Sequence, residues 1–381
     1  MRPSIVSRFE GLREANVVEL KKASESGRKV VGAYCIYSPY ELIVAAGAIP
    51  VPLCGTRQKP VRAAERVLPR NLCPLIKSSY GFAVTDTCPY FHFSDLVIAE
   101  TTCDGKKKMY EYLAELKPLH LLQLPQRQDR PEDLSYWYHE VEKLKVRLEE
   151  EFAVSITDNA LRHAIRLMNE ERRSSKALQD ACKARPAPLS GLDLLTVLDM
   201  RSFHLDKREA TAMVDALVEE LRLRTKRGET PFTEKTPRIL LTGVPVGIGS
   251  EKVVRVIEEC GGNVVCFENC SGYKKLIPVD EDKQPLQAIA EKYLKTPCSC
   301  MSPNTGRFEL VEQLVREFSA DGVVDLTWQA CHTYNVESLR LKQYLQARGA
   351  TPFLQIETDY SESDTEQLKV RIEAFLEMVR G

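Results

Sequence analysis

The strongest constraint on the fold is that the sequence carries the same strand–helix–strand plan twice. In the first half, apolar strands at 29–35 and 49–55 flank a short helical stretch, and in the second half the strands at 238–243 and 264–270 flank another. Short apolar strands that alternate with helices are typical of βαβ units in a parallel sheet. The repetition predicts two α/β domains of similar build.

The match continues downstream in both halves. An apolar strand at 95–103 and another at 120–124 enclose a helix around 109–116. The strands at 321–331 and 352–356 enclose an equivalent helix around 336–345. We therefore expect two open parallel sheets, Rossmann- or flavodoxin-like, that share one strand order.

A charged segment separates the two halves. It shows apolar residues at three-to-four spacing, which indicates helices, and Pro186, Pro188 and Gly191 interrupt it. We interpret it as a helical spacer that packs the two domains together. The predicted division is an N-terminal α/β domain (1–130), a helical region (131–236) and a C-terminal α/β domain (237–381).

Composition excludes several classes of protein. The formal net charge of −1 leaves no basic excess for binding nucleic acid. No apolar run approaches the roughly eighteen residues that a membrane span needs. Charged residues follow closely on the first apolar ones, so a signal peptide is not expected either, and the predicted location is the cytoplasm.

The chain contains twelve cysteines, which is unusual for a long chain without an export signal. In a reducing compartment each is either a buried apolar thiol or a metal ligand. Several fall where loops leave the carboxyl ends of predicted strands, the edge at which open α/β sheets bind ligands. These are Cys35, Cys54 and Cys103 in the first half and Cys270 and Cys331 in the second. Their shared edge favours a metal site between the halves.

The ligand type favours iron–sulfur chemistry over zinc. No CxxC pair or second histidine at ligand spacing accompanies these cysteines; Cys298 and Cys300 form a CxC instead. Thiolates without a second donor type suit iron–sulfur clusters. Cys182, Cys260 and Cys266 lie within predicted helices or mid-strand, and we interpret them as structural thiols.

Several segments resemble the 2-hydroxyacyl-CoA dehydratase component D family. They include YCIYSPYEL at 34–42, CPLIKSSYG at 73–81 and TTCDGKKKMY at 101–110. The resemblance extends from about Gly32 to Tyr360. The segments DTCPYF at 86–91 and CSC at 298–300 are most similar to the double-cubane cluster proteins of that family.

The resemblance implies a set of cluster ligands. Family dehydratases hold one [4Fe–4S] cluster on three cysteines, which match Cys73, Cys103 and Cys331 here. Double-cubane relatives join two such clusters in an [8Fe-9S] unit, which needs six. For the second set we favour Cys270, Cys298 and Cys300 from their loop positions, with Cys88 next and Cys35 and Cys54 in reserve.

Three further residues are candidate catalytic groups. Glu41 matches an acid of the family dehydratases and would donate a proton beside a cluster; the alternative is a carboxylate that stabilises a helix start. Ser78, with Ser79 beside it, would hydrogen-bond cluster sulfurs or substrate, or cap a helix. His332 follows Cys331 and would deliver protons, or be a satisfied buried histidine.

By resemblance, the chain is an iron–sulfur reductase that receives low-potential electrons from a separate ATP-hydrolysing iron–sulfur activator and reduces a small molecule. A homodimer is also implied. One alternative is a 2-hydroxyacyl-CoA dehydratase subunit with a single [4Fe-4S] cluster, and another is a non-catalytic electron carrier. The glycine-rich loop 243–252 lacks a P-loop ending, so we interpret it as a tight strand-to-helix turn.

Overall fold

The computed structural model describes residues 2–53, 55–349 and 351–380, and their architecture is α/β with two four-stranded parallel sheets. The first sheet consists of β1 (Val30–Ala33), β2 (Ile49–Pro52), β3 (Leu96–Glu100) and β4 (Leu119–Leu122). The second consists of β5 (Arg238–Gly243), β6 (Asn263–Phe267), β7 (Gly322–Trp328) and β8 (Phe353–Thr358).

The two sheets share one strand order, as the repeated sequence plan predicts. The first runs β2-β1-β3-β4 and the second β6-β5-β7-β8, with every neighbouring pair parallel. The central strands β1, β3, β5 and β7 are buried along their whole length. Continuous apolar strands of this kind are expected where helices cover both faces of a parallel sheet. The predicted fold class is confirmed.

Helices surround each sheet. Those of the first half are α1 (Ser4–Glu25), α2 (Tyr40–Ala45), α3 (Val61–Ala64), α4 (Pro74–Val84), α5 (Pro89–Phe93) and α6 (Asp104–Ala114). The middle of the chain forms α7 (Pro131–Phe152), α8 (Asp158–Ala181), α9 (Gly191–Met200) and α10 (Lys207–Lys226). The second half contains α11 (Lys252–Glu259), α12 (Pro285–Leu294), α13 (Thr305–Glu317), α14 (His332–Gly349) and α15 (Thr365–Arg380).

The helices α7 to α10 connect the two halves through shared apolar cores. Helix α8 packs against α2 of the first half and α12 of the second, and α7 packs against β4 and α12. One core includes Val31 and Leu42 from the first half, Trp137 from α7 and Ile289 from α12. The boundaries at 130/131 and 236/237 fall outside these helices and remain predictions.

Two helices begin earlier than their apolar periodicity predicts. We expected α6 to start near 109 and α14 near 336, but they start at Asp104 and His332, directly after Cys103 and Cys331. The first turn of each helix consists mainly of polar residues, so a pattern of apolar residues does not reveal it, although Lys106 and Tyr334 within these turns are buried. Both missed turns carry residues that line the functional site described below.

The glycine-rich segment after β5 forms the loop 244–251 before α11, and a glycine is required where this loop begins. Gly243 has a φ of +105°, and a Cβ there would lie 2.0 Å from the Leu326 carbonyl oxygen. Only glycine permits this conformation and this approach to β7.

None of the helices in the described part of the chain combines the length and apolar character required to cross a membrane.

A buried arginine ties α13 to the second sheet. Arg307 has no exposed side-chain surface and contacts Asp325 on β7 at 3.1 Å, Glu337 on α14 at 2.5 Å and the Thr242 hydroxyl on β5 at 2.9 Å. Glu268 lies 3.8 Å away. Burial of this guanidinium is tolerable because three carboxylates surround it.

Replacement of Arg307 by Met should lower the apparent free energy of unfolding by about 3–5 kcal/mol, since it leaves buried carboxylates without a cation. Urea unfolding followed by circular dichroism measures this change. The exposed Arg316, which pairs with Glu312 at 3.3 Å, provides the control. Arg316→Met should change stability by less than about 1 kcal/mol. Equal effects of the two substitutions would contradict the role given to Arg307.

Candidate functional site

A single large cavity lies where loops leave the carboxyl ends of both sheets. Its volume is about 910 Å³, and residues from the first half, the middle helices and the second half line it. Eight cysteines line it: Cys35, Cys73, Cys88, Cys103, Cys270, Cys298, Cys300 and Cys331. The three cysteines interpreted as structural, Cys182, Cys260 and Cys266, do not line it. Cys54 lies outside the described residues.

Four of these cysteines directly precede helices. Cys73, Cys88 and Cys103 are the N-cap residues of α4, α5 and α6, and Cys331 precedes α14. At such positions unpaired backbone amides and the helix dipole favour a negatively charged sulfur. The amides of Leu75 and Ile76, for example, act to lower the pKa of Cys73.

Cys73, Cys103 and Cys331 form the first thiol group. The interaction between Cys73 and Cys331 raises the pKa of the Cys73 thiol, which burial raises further, and lowers that of Cys331. Burial also raises the pKa of Cys103, and the nearby Cys331 adds to this rise. The group joins two loops of the first half to one of the second.

Cys35, Cys270, Cys298 and Cys300 form the second thiol group. The interaction with Cys300 lowers the pKa of Cys298, and Lys274 contributes to this decrease. Burial raises the pKa of Cys35 well above its usual value, and Cys270 and Cys298 are near enough to raise it further. Cys298 also affects the pKa of Cys331, so the two groups are neighbours.

Hydroxyl groups accompany the thiols. The Cys300 sulfur lies 3.7 Å from the Tyr37 hydroxyl, and that hydroxyl donates to the Thr296 carbonyl at 3.0 Å. The Cys298 sulfur lies 3.9 Å from the Tyr334 hydroxyl, to which Lys274 donates at 2.7 Å. Donors of this kind orient sulfur ligands and adjust their electron density.

Cys88 lines the same cavity in a different environment. Burial raises the pKa of its thiol, the amides of Phe91 and Tyr90 oppose that rise, and Asp86 adds to it. Cys88 is the N-cap residue of α5, and we assign it to neither thiol group. Cys35, which we ranked behind Cys88, lies among the second group.

Glu41 is fully buried and forms an ion pair with an arginine of α8. Its carboxylate lies 2.5 Å from the Arg172 guanidinium and accepts a hydrogen bond from the Tyr293 hydroxyl at 2.8 Å. Burial alone would raise the pKa of Glu41, but Arg172 and Lys292 outweigh burial and lower it. An ionised carboxylate of this kind anchors Arg172, which lines the cavity, and Glu41 itself does not line it. Proton donation by Glu41 remains a prediction.

Ser78 and Ser79 bind backbone rather than facing the cavity. The Ser78 hydroxyl donates to the Arg57 carbonyl at 2.7 Å, and the Ser79 hydroxyl accepts from the Gly55 amide at 3.0 Å. They fix the loop after β2 against α4. Neither side chain lines the cavity, so the expected contact of Ser78 with sulfur or substrate remains a prediction.

His332 and Lys106 both line the cavity. His332 is exposed in the first turn of α14. Lys106 is buried against Glu100, and although burial lowers its pKa, Glu100 raises it well above its usual value. The neighbouring Lys107 and Lys108 are exposed and paired with Asp104 and Glu111.

The middle helices contribute to the site, which the interpretation as a spacer missed. Arg172 on α8 lines the cavity, as do Lys275 and Lys292 from the second half. A signal was present in the sequence: Arg172 falls on the apolar stripe of α8 that includes Ile165 and Met168, where a charged residue needs a buried partner.

The donor set fits an iron–sulfur cluster better than a single ion. Among residues 2–53, 55–349 and 351–380, no three His, Cys, Asp or Glu side chains lie close enough together to hold one metal ion. The thiolates of a cluster bind different irons and so are spaced more widely. Thiols in two neighbouring groups, with hydroxyl and amide donors and a large cavity, match that requirement.

Replacement of Glu41 by Gln should destabilise the protein by about 3 kcal/mol at pH 7, because Arg172 then keeps its charge without a buried carboxylate. The pKa of Glu41 is lowered in the folded state, so its contribution is present above its unfolded pKa of about 4.3 and is lost as pH falls through the lower folded value. The gap between wild type and Glu41→Gln should therefore narrow below about pH 4.

Thermal unfolding at several pH values measures this gap. Glu111→Gln, on the exposed face of α6, is the control and should differ from wild type by less than about 1 kcal/mol. A gap that stays constant down to the acid unfolding region would mean that the Glu41 carboxylate is not ionised in the native protein.

Comparison with known proteins identifies the family. The family described as 2-hydroxyglutaryl-CoA dehydratase, D-component, matches residues 35–379. A protein of Escherichia coli (strain K12) named as a putative dehydratase subunit, YjiM, is 46% identical, covering 99% of this chain and 98% of its own. The beta subunit of (R)-phenyllactyl-CoA dehydratase from Clostridium sporogenes is 24% identical, covering 94% of each chain. One of the benzoyl-CoA reductase subunits from Thauera aromatica is 22% identical, covering 96% of this chain and 92% of its own. This chain belongs to the D-component family of the 2-hydroxyglutaryl-CoA dehydratases, whose relatives are named as dehydratases and reductases.

Proposed function

We propose that this chain is an iron–sulfur enzyme that holds a double-cubane [8Fe-9S] cluster in the cavity and uses it to reduce a small molecule. The observation that carries the proposal is the collection of eight cysteines around one cavity, seven of them in two neighbouring groups. A single [4Fe-4S] cluster would occupy three or four of them. The number of thiols therefore favours a larger cluster.

The proposed ligands follow the two thiol groups. Cys73, Cys103 and Cys331 would hold one cubane, and their mutual pKa effects support this set. The second cubane would be held by the ligands Cys270, Cys298 and Cys300. Cys35 is the next candidate because it is near Cys270 and Cys298, and Cys88 follows it.

When bound, such a cluster supplies electrons at low potential to the substrate. The chain supplies the rest of the site. The Tyr334 hydroxyl, which accepts from Lys274, would donate its own proton to the Cys298 sulfur and stabilise its negative charge, whereas the Tyr37 proton is donated to the Thr296 carbonyl. His332, exposed at the cavity beside Cys331, would exchange protons with bound substrate.

The proposed partner is an ATP-hydrolysing iron–sulfur activator that delivers the electrons. The proposal comes from the family resemblance. Relatives such as the phenyllactyl-CoA dehydratase and benzoyl-CoA reductase proteins are named as subunits. The exposed Lys107 and Lys108 beside Cys103 offer a charged surface for such docking. A homodimeric assembly is part of the same proposal.

A dehydratase subunit with one [4Fe-4S] cluster is the second candidate. The names of the relatives favour it, since two of the three described above are called dehydratase subunits. A non-catalytic electron carrier is a third candidate, but a cavity of about 910 Å³ offers more room than electron transfer alone requires.

Protein purified without oxygen should contain about eight irons per chain, with acid-labile sulfide in similar amount. Cys73→Ala and Cys300→Ala should each remove about half of the iron or all of it, since they remove a ligand from different groups. Cys260→Ala, a half-buried cysteine outside the cavity, is the matched control and should retain the full content.

The alternatives give different results. About four irons, insensitive to Cys300→Ala, would support the dehydratase subunit. A full iron content without reduction of any small molecule in the presence of an activator and ATP would support the electron carrier. Protein with no iron would overturn all three.

A further inference from the structure

One wall of the cavity is strongly cationic. Five basic side chains line it: Arg172, Arg201, Lys207, Lys275 and Lys292. We call this set the cationic wall. Three of its members come from the middle helices and the adjoining turn, and two from the second half.

Two members of the cationic wall lack a partner within the described chain. Arg172 pairs with Glu41, Arg201 pairs with Glu171, and Lys207 donates to the Ser202 carbonyl at 2.9 Å. In contrast, neither the Lys275 nor the Lys292 ammonium forms an ion pair or hydrogen bond with any described residue, although Glu41 is near enough to raise the pKa of Lys292.

The Lys292 side chain is deeply buried, although its ammonium forms no hydrogen bond or ion pair with a described residue. The residue is only 5% exposed, and its ammonium lies 3.6 Å from the centroid of the Tyr293 ring. Lys275 and Lys292 are near enough to each other that the charge of Lys275 helps to depress the pKa of Lys292, after burial and Arg172. Unpaired ammonium groups in such a place are costly to the fold.

Local charges do not balance within the chain. Five basic side chains face three carboxylates, those of Glu41, Glu171 and Asp199, and burial raises the pKa of Asp199. The site therefore contains more basic than acidic side chains. Burial, with Arg201 adding to it, lowers the pKa of Lys275 to about 8, and this decrease outweighs the opposing effect of Glu171 and Asp199.

We propose that Lys275 and Lys292, with Arg172 held in place by Glu41, form a subsite that binds an oxyanion, the carboxylate or phosphate group of a small substrate. A bound oxyanion would supply the missing partner for both ammonium groups. Cys270 is near enough to Lys275 to raise its pKa, so the subsite adjoins the second thiol group. The anionic end of a substrate would thus be fixed while its remainder faces the thiols.

The inference rests on the proposed function only in taking the cavity as the place where substrate binds. Its main competitor is that the two lysines balance the negative charge of a metal site on the cysteines. The two explanations predict different effects of replacing a lysine. If the lysines bind an oxyanion, anion binding is lost and the metal is retained; if they balance the charge of a metal site, the metal is lost as well.

The test is isothermal titration of the full chain, purified without oxygen, with sodium phosphate and separately with sodium acetate. Lys275→Met and Lys292→Met should each weaken binding at least about tenfold, the effect of losing a single charge-assisted hydrogen bond. Lys283→Met is the matched control, because Lys283 is exposed near the start of α12, pairs with Glu291 and does not line the cavity. It should bind like wild type. Preference for phosphate or for acetate assigns the group that the subsite takes.

Iron content and folding are measured on the same samples. Unchanged iron with weakened anion binding supports the subsite, and Lys292→Arg should restore binding because it restores the charge. Absence of binding in wild type, equal binding in all variants, or parallel loss of iron and binding would each overturn it. Lysine-dependent binding in protein without iron would keep the subsite and reject the proposed function. If Lys292→Met fails to fold, anion binding by Lys275→Met, at a less buried position, provides the test of the subsite.

Discussion

The main physical constraint on this structure is that a buried sulfur can carry negative charge only where hydrogen-bond donors stabilise it. A thiolate away from water needs donors, and the chain provides them by placing Cys73, Cys103 and Cys331 directly before α4, α6 and α14. The free amides of a first helical turn face the sulfur without a dedicated side chain. Because parallel strands send all their following helices away from the same edge, these helix starts meet at one place. The duplicated sheet then doubles the number of such starts.

The middle helices complete what the two sheets cannot supply. The sheets bring thiols, and α8 with the turn after α9 brings Arg172 and Arg201 into the same cavity. Each arginine is held by a buried carboxylate, Glu41 or Glu171, so its position is fixed by charge as well as by packing. The cavity therefore has a sulfur-rich side and a cationic side. The cationic side would lose its arginines if α7 to α10 served only as a linker between the two sheets.

The fold could be predicted well from the sequence because the strand–helix–strand plan occurs twice. Each half gave the same strand order, so each prediction supported the other. Position relative to strand ends distinguished Cys35, Cys103, Cys270 and Cys331 from Cys182, Cys260 and Cys266, and the family resemblance added Cys73, Cys88, Cys298 and Cys300; all eight line the cavity. The sequence could not predict which cysteines are neighbours, since the distance between Cys35 and Cys298 depends on how two domains meet. It missed Lys275 and Lys292 for the same reason. Nothing local distinguishes a lysine that faces solvent from one that faces a cavity formed by distant segments.

Both thiol groups draw on both halves of the chain. Cys73 and Cys103 share a group with Cys331, and Cys35 shares the other with Cys270 and Cys298. The first group is therefore incomplete in either half alone, whereas the proposed ligands of the second group, Cys270, Cys298 and Cys300, all come from the second half. A rotation of one sheet against the other would also change the spacing within both groups at once, so the seam between the halves is where the site is most sensitive to mechanical change.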